Sequence, residues 1–202
     1  FQTAFAVLAA LSVVDAIDAV QGLEGRARIK WVNDVLLSGA KVAGTLSYTQ
    51  SQGPHVSSAL LGIGLNVETA PVVERTRFVP AVGAVRDFAP GADGATQRDM
   101  LAALLSALDG NYRTLLEDGF RSLLERYEIR SGMVGRRVAV YAEDPGSDPP
   151  VISEGRVVAL GDGLELYLED REEPITRGRL VFVESAWRDS VDAVPVTVSE
   201  RS

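Results

Sequence analysis

Phe5, Leu8, Ala9, Leu11, Ala16 and Ile17 recur at helical spacing, and neither proline nor glycine occurs between Phe1 and Ala19. The pattern predicts one mostly buried helix, stopped by Gly22 and Gly25. Periodicity then changes. Ala27 to Trp31 alternates with β character, Val35 to Leu37 and Lys41 to Tyr48 form a pair of runs, and Ser38-Gly39 between them is a two-residue hairpin signal. A further strand is expected from His55 to Val67, so the first sheet lies between Ala27 and Val67. Residues 68 to 96 carry Pro71, Pro80 and Pro90 and read as a loop longer than a compact domain needs for an inert connection. Helical spacing returns from Gln97 to Glu128, with interruptions expected near Asp109-Gly110 and at Gly119. Short β runs follow at Arg136 to Tyr141, Ile152 to Leu160, Leu164 to Leu168 and Leu180 to Val183, separated by turns, and they predict a small all-β module beginning near Ser131.

Composition narrows the chemistry. The chain has 202 residues, 46% of them hydrophobic and 24% charged, so it can bury a core and is not an acidic disordered chain. Twenty Lys and Arg against 28 Asp and Glu give a formal charge of -8, which argues against a surface that coats nucleic acid. Cysteine is absent, which removes disulfides, thiolate nucleophiles and Cys-ligated zinc, and His55 as the one histidine makes a poor basis for a His-based metal site. The apolar run from Ala4 to Val14 is too short to span a membrane and has no basic segment before it, so neither a membrane anchor nor a signal peptide is expected. Because the chain begins with Phe1, its start is expected to lie upstream.

The remaining chemistry belongs to Lys, Arg, Asp, Asn and backbone amides, and it concentrates between Lys30 and Leu46 (KWVNDVLLSGAKVAGTL). Asn33 and Asp34 precede the first strand of the hairpin, Lys41 follows its turn, and Gly44 lies three residues on. An ammonium, a carboxylate and a carboxamide come together beside a glycine that lets a ligand approach the backbone. A lysine so placed can stabilise charge developing on a carboxylate or phosphoryl group. Gly62-Ile63-Gly64-Leu65-Asn66 adds two more positions without side chains and an amide. Taken singly, Lys30 and Lys41 also fit solvated strand lysines, the glycine pair a β-bulge, and Asn33-Asp34 a plain turn. Trp31 and Trp187 read as packing residues, His55 as a surface histidine, and Asp144 to Pro150 and Glu169 to Glu173 as solvated acidic loops.

In combination, KWVND, GxKxxGTL and GIGLNV in this order resemble the central half of the biotin protein ligase catalytic domain. The module containing GRRVAV, EGRVVAL and GDGLELYL is similar to that family's C-terminal Src-homology-3-like barrel. Lipoate ligases, which are related, usually lack the Lys-Trp before Asn-Asp and the barrel. The resemblance implies an α+β fold: a mixed or antiparallel sheet with packed helices over residues 1–130, of the class II synthetase-like type and incomplete at its N-terminus. A small β-barrel over 131–190 and a tail over 191–202 would follow. It implies ATP-dependent ligation of biotin, through biotinyl-5'-adenylate, to a lysine of a carboxylase biotin carboxyl carrier domain, in a cytoplasmic enzyme. Lys41 would be the essential lysine and contact biotin. Gly44, Gly62 and Gly64 would let biotin lie against the sheet, Lys30, Asp34 and Asn66 would serve ATP, and Asp34 would also serve Mg2+.

Two departures accompany the resemblance. Val32 stands where the family usually has proline, which frees a backbone N–H and predicts a looser turn. The family's Gly/Arg-rich loop belongs upstream of Phe1, and Gly25-Arg26-Ala27-Arg28 leads too directly into KWVND to replace it. The isolated chain is therefore expected to bind biotin weakly and to make no measurable adenylate. It is also expected to cover an open sheet edge by homodimerisation or with another chain. The segment from Glu68 to Gly94 is expected to act as a lid. The alternatives are a catalytically incomplete, ligase-like binding module and a lipoate ligase relative.

Overall fold

The structure is a computed structural model and describes residues 2–53, 55–143 and 149–183. Trp187, the 191–202 tail, the end of the 131–190 module and residues 144–148 of the acidic loop lie outside the described residues. Helix α1 (Gln2–Asp18) is apolar nearly all round, and Val7, Leu8, Leu11, Val13, Val14 and Ile17 are buried. Such a helix belongs inside, and α1 packs against the first sheet on one side and the later helices on the other. Its C-terminal end carries Asp15 and Asp18, the wrong charge for the helix dipole. Both are paired from outside, Asp15 with Arg126 at 2.7 Å and Asp18 with Arg130.

The first sheet is an antiparallel meander of β1 (Arg28–Lys30), β2 (Asp34–Leu37), β3 (Ala40–Gln52) and β4 (His55–Leu65), in that order. Ser38 and Gly39, at φ 46° and 82°, make the expected two-residue turn. Helix α2 (Val85–Phe88) is short and interrupts what the sequence presents as loop. Helix α3 (Gln97–Glu117) is capped by Thr96, which accepts from the Asp99 amide, and runs through Gly110 without the expected break. The break falls at Gly119, at φ 83°, ahead of α4 (Phe120–Ser131). No helix among the described residues is long and apolar enough to cross a membrane.

After Gly132, left-handed at the end of α4, the chain enters a second antiparallel sheet. Its strands are β5 (Arg137–Tyr141), β6 (Val151–Leu160), β7 (Leu166–Leu168) and β8 (Arg179–Phe182), in the order β7-β6-β5-β8. Leu166 also bridges Ile175, and among the described residues the strands pair as an open sheet. The buried residues of both sheets belong to one continuous apolar cluster, from Val7 and Ile29 through Leu123 and Met133 to Val138 and Leu166. Trp31 joins the two parts directly, donating its indole N–H to the Leu164 carbonyl at 2.8 Å.

Candidate functional site

The hairpin carries a register shift that decides where Lys41 faces. Val35 pairs with Ala43, but Leu36 pairs with Lys41, so Val42 is an extra residue on β3. In a regular strand, residues three apart point to opposite faces. The bulge at Val42 instead returns Lys41 to the face of Gly44 and Asp34, which are themselves directly paired. The Lys41 ammonium consequently lies 2.5 Å from Asp34 Oδ1, with both side chains partly exposed. The bulged residue is held as well, since the Asn66 amide donates to the Val42 carbonyl at 2.8 Å.

Around this ion pair the sheet face is open. Gly44 pairs with Gly64, and Leu46 with Gly62. Leu46, Tyr48 and Leu60 extend the same face as exposed apolar surface. None of the three glycines has a positive φ, so their value here is the absent side chain rather than backbone freedom. A Cβ on Gly64 would meet nothing nearer than the Gly44 carbonyl at 3.9 Å, whereas one on Gly44 would stand 3.3 Å from Lys41 Nζ and press on the ion pair. The result is a flat, side-chain-free floor ending in a cation and a carboxylate.

Lys30 pairs with Asp34 across β1 and β2 but is buried, and its ammonium donates to the Phe78 carbonyl at 2.5 Å. Burial pushes its pKa down to about 8, against the pull of Asp34 and helped by Lys41 and Arg179. Asn66 gives its side-chain amide to the Gly83 carbonyl at 3.0 Å, and Asn33 gives its own to the Thr45 carbonyl at 2.6 Å. Thus Lys30, Asp34, Lys41, Gly44, Gly62 and Gly64 share one sheet face. Asn66 continues β4 and ties down the segment that follows.

That segment is in part docked. Lys41 exchanges backbone hydrogen bonds with Ala81 and Gly83, forming a parallel bridge with Val82. Phe78 is buried, its ring edge-on to Tyr141 at 5.3 Å and covered by the Arg179 guanidinium at 3.7 Å. Residues 68–75, by contrast, are mostly exposed, Val72 and Val73 among them. The sequence pattern did not single out Arg179, Tyr141 or Tyr127, because they come from β8, β5 and α4 and only the tertiary fold brings them here. Tyr127 donates its hydroxyl to the Val32 carbonyl at 2.8 Å, and the Trp31–Val32 peptide is cis.

These features define an α+β protein with a lysine–carboxylate pair on an open, glycine-floored sheet face, joined to a small β-module. The chain is a homologue of the biotin protein ligases. It is 47% identical over 159 residues to the biotin–[acetyl-CoA-carboxylase] ligase of Paracoccus denitrificans, covering 76% of this chain and 65% of that protein. It is 28% identical over 170 residues to biotin–protein ligase 2 of Arabidopsis thaliana, covering 79% of this chain and 49% of that protein. The chain thus spans less than two thirds of the length of either relative. Among solved structures, the biotin protein ligase from Aquifex aeolicus in complex with biotin and ATP matches with a TM-score of 0.63 at 19% identity, over 89% of this chain and 70% of that one, which shows the shared fold. No family model matches the chain.

Proposed function

We propose that the chain forms the lysine-bearing part of an ATP-dependent biotin–protein ligase. In this reaction the biotin carboxylate attacks the α-phosphorus of ATP, the bond to the β-phosphate oxygen breaks, and pyrophosphate leaves. A lysine amine of a carboxylase carrier domain then attacks the acyl carbon of biotinyl-5'-adenylate, loses a proton, and AMP departs. The observation that carries this reading is the Lys41–Asp34 pair at the end of the glycine floor, together with the 47% identity to the Paracoccus ligase.

The floor of Gly44, Gly62 and Gly64 would receive the flat body of biotin. The Lys41 ammonium, held by Asp34 in the free chain, would turn to the incoming carboxylate and α-phosphate, where negative charge accumulates. Asp34 would be left facing the nucleotide end, and Asn66 would serve the nucleotide from the position that follows β4. The described residues contain no cluster of three or more potential ligands for a metal ion. Magnesium fits as an ion carried by the ATP phosphates, to which Asp34 would add one oxygen. Lys30 would act indirectly, by anchoring the 76–83 segment beside the site.

The test is biotin-dependent pyrophosphate release by the full gene product, followed by biotin transfer to a carrier domain. Lys41→Ala should reduce the first step ~10²-fold or more, the scale for removing one preorganised charge-stabilising group. Undiminished release by Lys41→Ala would refute the assignment of the lysine. Release that is equally fast with lipoate in place of biotin would favour the lipoate ligase alternative.

A further inference from the structure

The turn from Trp31 to Asp34 is held residue by residue from three different parts of the molecule: β3, α4 and the turn before β7. Trp31 donates to Leu164, in the turn before β7. Asn33 donates to the Thr45 carbonyl and accepts from the Thr45 amide at 3.0 Å. Asp34 pairs with Lys41. Val32 is half-buried with its side chain packed against the core, and its carbonyl accepts the Tyr127 hydroxyl at 2.8 Å.

Tyr127 is wholly buried in the middle of α4. If packing were its whole role, phenylalanine would fill the space without a hydroxyl to satisfy. Burial pushes the phenol far above its ordinary pKa, so it remains a donor at any working pH. The helix beneath it is anchored: Arg126 bonds both Asp15 oxygens and the Asn111 side-chain Oδ1, and Arg130 pairs with Asp18. A fixed donor therefore meets the backbone one peptide before Asn33 and two before Asp34.

We propose that Tyr127 is a positioning residue for the site: its hydroxyl holds the Val32 carbonyl and thereby sets the direction in which Asn33 and Asp34 leave the turn. The role is exerted through the turn and not on a ligand. It rests on the reading of Asp34 as a residue of the nucleotide end.

Tyr127→Phe keeps the ring and removes the donor. In hydrogen exchange on the ligand-free chain, peptides covering residues 31–37 should exchange about five- to tenfold faster than in the parent, the factor expected for losing one hydrogen bond of ordinary net strength. Peptides covering 137–141 and 151–160 should be unchanged. Unaltered exchange in 31–37 overturns the proposal, and so does a uniform acceleration through α4 and the second sheet, which would mark a packing residue. In the full gene product the same variant should raise KM for MgATP about five- to tenfold while KM for biotin stays within about twofold. Equal effects on both substrates would also overturn it. A gene product without ligase activity whose variant still loosens 31–37 would refute the functional assignment and leave the positioning intact.

Discussion

At the scale of single residues, Lys30 carries the least expected chemistry. The family resemblance makes it a cation serving ATP, yet its ammonium is buried and given to the Phe78 carbonyl. Its pKa of about 8 in the fold lies below the value near 10.5 of an unfolded chain. Between those two values the unfolded state binds a proton that the folded state does not, so raising the pH stabilises the fold. Below about pH 8 both states are protonated and the cost of burying the charge is present in full. The stability difference between the parent and Lys30→Met should therefore shift in the parent's favour from pH 8 to pH 10, by at most ~1.4 kcal/mol per pH unit. Urea denaturation at pH 7.5, 8.5 and 9.5 measures this, and other titrating groups cancel in the difference. A flat or opposite trend would mean that Asp34 keeps Lys30 charged throughout.

At the scale of elements, the first helix, the Ser38-Gly39 hairpin and the split between helical and β halves are legible because local pattern and tertiary burial agree there. Gly110 misleads because a glycine inside a helix costs only ~1 kcal/mol, which the packing of α3 on α1 overrides. The Val42 bulge is illegible for a different reason. Nothing in AKVAG marks an extra residue, and the shift is fixed by the Asn66 amide, which arrives from the end of β4. Without the bulge the motif would be present and Lys41 would face the core. The docking of residues 81–83 is equally tertiary, and Gly83 is where it is tightest. A Cβ there would lie 2.9 Å from the Phe88 ring and 3.4 Å from the Ala40 Cβ. Gly83→Ala should cost ~1–3 kcal/mol through overpacking and raise exchange of the 81–85 amides. Unchanged stability and exchange would show that Phe88 swings aside and that the docking is loose.

At the scale of the whole molecule, a net charge of -8 offers ATP no general attraction, so cations have to be gathered locally. The fold does this by bringing Lys41, and Arg179 of the second sheet, close enough to Lys30 for both to add to the lowering of its pKa that burial chiefly causes. The second sheet is thereby part of the site's electrostatics as well as its scaffold. Among the joints that hold it there are the Trp31–Leu164 hydrogen bond and the Phe78 ring set between Tyr141 and Arg179. With the apolar cluster also continuous across both sheets, the two parts should unfold as one unit. Far-ultraviolet circular dichroism and tryptophan fluorescence should give coincident denaturation curves. Phe78→Ala removes a buried ring at the joint and should lower stability by ~3 kcal/mol, with both curves moving together. If the two sheets were independent, Phe78→Ala would separate the curves, one probe shifting while the other kept the parent midpoint, and the shared scaffold would be excluded.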